Sequence, residues 1–97
     1  LIVASGIVTR AARSAAATAN AAGKKVGVLQ LQTLWPFVDK EVAQAARSAK
    51  RVVVAEMNYS GQLAGEVMKC VSDPRMVSGV NTYNGSIMTP AQIAAAL

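Results

Sequence analysis

Four apolar runs, separated from one another by stretches of helical composition, constrain the fold of this chain most strongly. The third run is the clearest, because Val52, Val53 and Val54 follow one another without an intervening polar residue. Continuous Val-rich runs are typical of strands that are buried on both faces, as they are in a parallel sheet. The runs lie at residues 1–4, 24–32, 51–57 and 76–80, and the helical stretches at about 9–22, 38–50, 61–72 and 90–97.

This alternation predicts an α/β protein in which one helix joins each pair of successive strands. Such units form a parallel sheet covered by helices on both faces, and their crossovers are right-handed. With 97 residues, the chain is long enough for one domain with a small core. We therefore expect residues 1–97 to form a single unit with a mostly parallel sheet of about four strands.

Residues at the expected helix ends favour these boundaries. Thr89, Pro90 and Gln92 form the T-P-x-Q pattern of a capping box, in which the hydroxyl caps the first turn and the Gln side chain reaches back. Gly23 is expected to end the first helix.

Basic residues fit the helix dipole in one helix and oppose it in another. Arg47 and Lys50 are expected in the last turn of the second helix, where the dipole favours cations. Arg10 and Arg13 lie near the start of the first helix, where it does not. Because a charge on the surface costs little, we favour the interpretation that both arginines are simply solvated.

The chain lacks histidine and has one cysteine, Cys70, and these two counts limit its chemistry. They exclude, within this chain, a zinc site, an iron–sulfur cluster held by four thiolates, a Ser-His-Asp triad and a Cys-His dyad. We predict that Cys70 lies in the middle of the third helix as a buried small hydrophobic residue. Because it has no partner for an internal disulfide, we expect a reducing, cytoplasmic compartment.

A parallel sheet would sort the polar residues of this sequence onto two opposite edges. The carboxyl edge, where strands end and where α/β proteins bind ligands, would carry residues such as Ser5, Thr9, Trp35 and Glu56. The opposite edge, named the basic edge here, would carry half of the ten basic residues: Lys24, Lys25, Lys50, Arg51 and Arg75. These cations either stabilise helix C-termini, which we favour, or dock an acidic partner.

Three features of the carboxyl edge each allow a chemical and a structural interpretation. Ser5 and Gly6 precede a helix and could receive a phosphate, but an ordinary turn is favoured because a single Gly is a weak motif. Glu56 ends a buried strand and is either a general base or an acceptor for backbone amides. Trp35 and Phe37 are either an interface anchor or a plug over one end of the core.

Three sequence blocks go beyond periodicity. They are V-V-A-E-M-N-Y-S-G-Q-L at residues 53–63, T-L-W-P-F at 33–37, and Y-N-G at 83–85 followed by T-P-A-Q-I at 89–93. In order and spacing they resemble the C-terminal part of the alpha subunit of 2-oxoacid:ferredoxin oxidoreductases, of the 2-oxoglutarate synthase type, over essentially the whole chain. One departure is the Q-L-Q at residues 30–32, where the family is expected to have Arg-Pro.

The resemblance implies a transketolase C-terminal-like domain, a three-layer α/β/α unit. It implies four parallel strands in the order second, first, third, fourth, with an antiparallel edge strand that would precede Leu1. The chain would then be a fragment of a larger subunit.

Enzymes of this family oxidatively decarboxylate a 2-oxoacid on thiamine diphosphate, transfer the acyl group to coenzyme A and reduce ferredoxin. The resemblance places thiamine diphosphate, magnesium and the iron–sulfur cluster in other domains or in the thiamine-binding beta subunit. This domain would hold no cofactor, no metal and no catalytic residue. It would contact the rest of the alpha subunit and other subunits, and neither nucleic acid nor membrane is an expected partner. The contact surface would include Trp35, Phe37, Glu56, Asn58, Tyr59, Gly61 and Gln62.

Two other functions remain open at this point. The first is a free-standing Rossmann-like module that binds a nucleotide or phosphate through Ser5, Gly6 and the helix that follows them. The second is a ferredoxin dock formed by the basic edge.

Overall fold

A computed structural model describes residues 1–5, 8–31, 39–56, 62–81 and 88–97. Strands and helices alternate along the chain, as the sequence predicts, with one added 3₁₀ turn before the last strand. The elements are β1 (Ile2–Ser5), α1 (Val8–Ala21), β2 (Val28–Leu31), α2 (Asp39–Ala46), β3 (Val52–Glu56), α3 (Gln62–Met68), the 3₁₀ turn Pro74–Met76, β4 (Val77–Asn81) and α4 (Pro90–Ala94).

The four strands form one sheet in the order β2-β1-β3-β4, and every neighbouring pair is parallel. This is the predicted order. Val3 of β1 sits at the centre, paired with Leu29 on one side and Val54 on the other. Strand β2 lies on one side of β1, and β3 and β4 lie on the other side. The strand order therefore reverses between β1 and β3. At such a reversal, the connections leave the strands toward opposite faces of the sheet.

Two apolar clusters lie on the two faces of the sheet and give the predicted three layers. The α1/α4 face buries Ile2 and Ala4 of β1 together with Ile93 of α4 and a row of alanines from α1. The α2/α3 face buries Val3 with Val42 of α2 and Val67 of α3. Successive side chains of β1 therefore point to opposite faces, and both are fully covered. This explains why the strands are continuous apolar runs.

Helix α1 ends as the position of Gly23 predicts. Gly23 has a φ of 96°, a left-handed conformation that glycine adopts without a Cβ clash. The Lys24 amide donates to the Ala19 carbonyl at 3.0 Å and the Gly23 amide to the Asn20 carbonyl at 3.1 Å. These two hydrogen bonds are the Schellman pattern, and they satisfy carbonyls at the end of the helix.

Helix α4 begins with the predicted capping box. The Gln92 amide donates to Thr89 Oγ1 at 3.3 Å, and the Thr89 amide donates back to Gln92 Oε1 at 2.8 Å. Pro90 occupies the first turn, where its missing N–H costs nothing.

Three helices end earlier than the sequence predicts, and one of them is α4, which ends at Ala94 and not at residue 97. Helix α3 ends at Met68, so Cys70 lies in the turn that follows and not in the middle of a helix. The helical spacing continues past Met68, but Asp73 instead accepts the Arg75 amide and starts the 3₁₀ turn. Helix α2 ends at Ala46, which places Arg47 and Lys50 beyond its last turn. The prediction that these two residues lie in the last turn of the helix was therefore wrong.

Candidate functional site

The carboxyl edge of the sheet is only partly included in the residues that the structure describes. Glu56 is the last residue of β3, and Gln62 is the first residue of α3. The other predicted contact residues lie outside the described residues, namely Trp35, Phe37, Asn58, Tyr59 and Gly61. Their assignment to a contact surface stays a prediction.

Glu56 is buried at the N-terminus of α3, with 4% of its surface exposed. Its Oε2 accepts a hydrogen bond from the Leu63 amide at 3.1 Å, and its Oε1 accepts one from the Ala64 amide at 3.4 Å. The first amides of a helix have no partner inside that helix, and its N-terminus favours negative charge. The carboxylate of Glu56 therefore caps α3 and ties it to the end of β3.

This geometry supports the structural interpretation of Glu56. Both carboxylate oxygens already accept backbone hydrogen bonds, so the group is engaged in holding two elements together. The short distance in sequence from Glu56 to Leu63 makes the cap possible, because the chain returns to the same edge within seven residues.

The N-terminus of α1 is the neighbouring helix start on this edge and is built differently. Its first turn contains no acidic residue. Thr9 is 4% exposed, and its Oγ1 has no hydrogen-bond partner among the residues that the structure describes. Arg10 is exposed. The sequence placed Thr9 on this edge, but gave no sign that its hydroxyl would be buried and unpaired.

Arg10 and Arg13 are both exposed, as predicted. Arg13 also donates a hydrogen bond to Oε1 of Gln30 at 2.9 Å, which links α1 to β2.

Four of the five cations of the basic edge line one hollow of about 480 Å³. They come from the connections that lead into β2 and β3, the strands on either side of β1. Lys24 Nζ donates to the Leu97 carbonyl at 3.4 Å, and an Arg51 Nη donates to the Ala96 carbonyl at 3.3 Å. Both carbonyls lie just beyond the end of α4, so Lys24 and Arg51 fit the interpretation that cations stabilise helix C-termini. The four are Lys24, Lys25, Lys50 and Arg51.

Arg75, the fifth cation of the predicted basic edge, does not line that hollow. Its guanidinium donates to Asp73 Oδ1 and to Asp73 Oδ2, each at 3.1 Å. These side-chain hydrogen bonds, with a further one from the Arg75 amide, hold the pKa of Asp73 below its usual value. The charge of Arg75 is therefore balanced locally.

Cys70 is half-buried and packs against the α2/α3 core. Its thiol donates to the Glu66 carbonyl with an Sγ···O distance of 3.4 Å. Burial raises the pKa of this thiol, and the negative charges of Asp39 and Glu66 raise it further, against a smaller opposing effect of Lys69. The thiol is thus kept in its neutral form, which is the less nucleophilic one.

Among the residues that the structure describes, no group of three His, Cys, Asp or Glu side chains could hold a metal ion. In that same part of the chain, no helix has the length and apolar character needed to cross a membrane.

Comparison with known proteins shows which family this chain resembles in sequence and in fold. Residues 1–93 match the family model described as pyruvate:ferredoxin oxidoreductase core domain II. The 2-oxoglutarate synthase subunit KorA of Archaeoglobus fulgidus is 37% identical over 93 residues, which cover 96% of this chain and 26% of the relative. The ketoisovalerate oxidoreductase subunit VorB of Methanothermobacter marburgensis is 38% identical over 88 residues, which cover 91% of this chain and 24% of the relative.

Two solved structures share the fold. A 2-oxoglutarate:ferredoxin oxidoreductase from Magnetococcus marinus, with 2-oxoglutarate, coenzyme A and succinyl-CoA bound, superposes with a TM-score of 0.85 and 25% identity, covering 98% of this chain and 16% of that one. A split gene transketolase, an inactive beta4 tetramer, superposes with a TM-score of 0.77 and 28% identity, covering 98% and 35%. The predicted resemblance and the predicted transketolase C-terminal-like fold are both confirmed. The chain spans about a quarter of the length of the curated relatives.

Proposed function

Because this chain belongs to the pyruvate:ferredoxin oxidoreductase core domain II family, we propose that residues 1–97 are one domain of a larger oxidoreductase subunit, with a structural and not a catalytic role. The observation that carries this proposal is the superposition of 98% of the chain on 16% of a 2-oxoglutarate:ferredoxin oxidoreductase chain. The whole enzyme would convert a 2-oxoacid, coenzyme A and oxidised ferredoxin into an acyl-CoA, carbon dioxide and reduced ferredoxin.

The donor groups of this chain do not fit the cofactors of such an enzyme. An iron–sulfur cluster needs several thiolates, and the chain has a single cysteine with a half-buried neutral thiol. The described residues hold no cluster of metal ligands that could bind magnesium for thiamine diphosphate. We therefore place these cofactors in other domains or in a thiamine-binding beta subunit. A cytoplasmic location belongs to the same proposal.

The carboxyl edge is the proposed contact surface toward the rest of the enzyme. Glu56 supports this role because its carboxylate holds the start of α3 at the end of β3, which fixes the position of these two described elements at the edge. The proposed surface extends from Glu56 to Gln62 and includes Trp35 and Phe37, two large aromatic side chains of the kind that anchor interfaces.

The first experiment tests whether the chain binds the cofactor by itself. Isothermal titration of the 97-residue chain with thiamine diphosphate and magnesium is expected to give no heat of binding. A micromolar affinity for the cofactor would contradict a purely structural role.

The second experiment tests the contact surface in the whole enzyme. Trp35→Ala and Phe37→Ala are expected to reduce the fraction of assembled complex measured by size-exclusion chromatography, because interface aromatics contribute strongly to binding. Lys69→Ala is the control, since 74% of the Lys69 side chain is exposed and it lies beyond the end of α3. Equal assembly of all three variants and the parent would refute the proposed surface.

A further inference from the structure

The hollow at the basic edge adjoins a second hollow, and the two together form an elongated groove. The first measures about 480 Å³ and the second about 460 Å³. We name the two together the basic groove. They have five lining residues in common, which form the wall along which they meet: Leu1, Lys25, Val26, Ser48 and Ala49.

The cations of the basic groove have no acidic partner in the part of the chain that the structure describes. The lining contains three lysines and one arginine, all exposed, and neither Asp nor Glu. Two of the acidic residues of the chain pair instead with Lys69 and Arg75. The groove therefore has a positive potential, which attracts a negatively charged partner. The acidic residues, all outside the lining, are Asp39, Glu41, Glu56, Glu66 and Asp73.

Stabilisation of helix C-termini accounts for only two of these four cations. Lys24 and Arg51 donate hydrogen bonds to carbonyls just beyond α4. The side-chain amines of Lys25 and Lys50 make no hydrogen bond or ion pair with any residue that the structure describes. Both side chains are exposed, so their amines can contact a partner without breaking an existing interaction.

The lining of the basic groove favours a protein segment over a nucleic acid. Single-stranded nucleic acids are bound by aromatic side chains on which bases stack, and phosphates by the planar fork of arginine. The described lining has no aromatic residue, and lysine supplies three of its four cations. It also contains apolar side chains, of which Val26 and Ala49 are partly exposed. A segment that carries carboxylates and an apolar side chain matches both kinds of lining residue.

We propose that the basic groove binds an extended acidic segment of a partner protein, whose carboxylates contact Lys25 and Lys50. An apolar side chain of the same segment packs on Val26 and Ala49. Charged residues are depleted at the centre of permanent interfaces, so the partner binds reversibly and is not a fixed subunit of the enzyme. This inference goes beyond the role proposed for the carboxyl edge and does not depend on it, because the groove lies at the opposite edge of the sheet.

The first experiment titrates the ¹⁵N-labelled 97-residue chain at low salt with a short peptide in which glutamates flank a central leucine. Both chain ends are blocked, by an acetyl and an amide group, because Leu1 and Leu97 line the groove and their terminal charges would contribute. The amide signals of Lys25, Val26 and Lys50 are expected to shift in a saturable way. Binding is expected to weaken in about 1 M salt, where the Debye length falls to about 3 Å. Tighter binding of an oligodeoxythymidylate of equal charge would overturn the choice of a protein segment.

Three variants distinguish the groove from general attraction to a cationic chain. Lys25→Gln and Lys50→Gln are each expected to weaken peptide binding about two- to fivefold, because an exposed charge pair contributes modestly. Lys40→Gln is the matched control, since it removes the same charge from an exposed residue in the first turn of α2, at the carboxyl edge. It is expected to leave binding unchanged. Equal weakening by all three variants would overturn the proposal.

The last experiment tests whether the groove is open in the assembled oxidoreductase. Lysines are acetylated with an N-hydroxysuccinimide ester and the sites are quantified by mass spectrometry. Lys25 and Lys50 are expected to react as fast as they do in the 97-residue chain, and the acidic peptide is expected to slow both reactions. Protection of these two lysines in the enzyme without peptide would show that another part of the enzyme covers the groove, which would overturn the proposal.

Discussion

Replacement of Glu56 by alanine tests most closely how the carboxyl edge is held together. The substitution removes the acceptors of the Leu63 and Ala64 amides at the buried start of α3. Loss of a helix cap costs about 0.5–2 kcal/mol, and a net hydrogen bond to a charged group contributes about 1.5–3 kcal/mol. We therefore expect Glu56→Ala to lower the free energy of unfolding by about 2–4 kcal/mol, a large share of the roughly 5–15 kcal/mol typical of a domain.

Urea denaturation at neutral pH, followed by circular dichroism, measures this change as a lower midpoint at constant m-value. Glu56→Gln keeps one side-chain oxygen as an acceptor and is expected to lose about half as much. Glu66→Ala is the control, because the Lys69 partner of its ion pair is 74% exposed, and an i,i+3 pair with one exposed member should contribute less than about 0.5 kcal/mol. An unchanged or raised midpoint for Glu56→Ala would refute the argument, since it would show that burying this carboxylate costs more than its hydrogen bonds return.

Three further predictions follow from local geometry. Thr89→Ala should lower the free energy of unfolding by about 1 kcal/mol, measured by urea denaturation, because it breaks the capping box of α4. Gly23→Ala should lower the Tm, since Gly23 has a φ of 96°, whereas Gly65→Ala should raise it, because its Cβ would meet nothing within 4 Å and alanine favours a helix. Cys70 should react with iodoacetamide more slowly than a free thiol at pH 8, and Asp39→Asn should speed the reaction by removing a charge that raises the thiol pKa. Reaction at the rate of free cysteine would contradict that shift.

The strands and the ends of two helices were predictable because the responsible signals are local. The run from Val52 to Ala55 can only be satisfied where both faces are covered, and it forms β3 at the centre of the sheet. Gly23 and the Thr89–Gln92 pair set helix ends through their own backbone and side-chain hydrogen bonds. The strand order came from the family resemblance, because periodicity alone does not determine it.

The features that could not be predicted from the sequence depend on which elements come together in space. Apolar spacing continues through Val71, so the end of α3 at Met68 was not visible, and Cys70 was placed inside the helix. Arg75 is separated from the other four cations of the basic edge because of the strand order. Those four lie in the connections into β2 and β3, the strands that flank β1, whereas Arg75 precedes the outer strand β4. The unpaired hydroxyl of Thr9 is a property of tertiary packing and leaves no trace in residue order.

Hydrogen exchange in the assembled oxidoreductase tests most directly whether this chain serves as a contact domain through its carboxyl edge. The peptides spanning residues 56–62 are compared between the complete enzyme and the 97-residue chain, with those spanning residues 24–25 and 50–51 as the reference. The account predicts slower exchange in the complex at residues 56–62 and equal exchange at the basic edge. Protection of the basic edge with unchanged exchange at residues 56–62 would contradict it and would favour the basic edge as the docking surface.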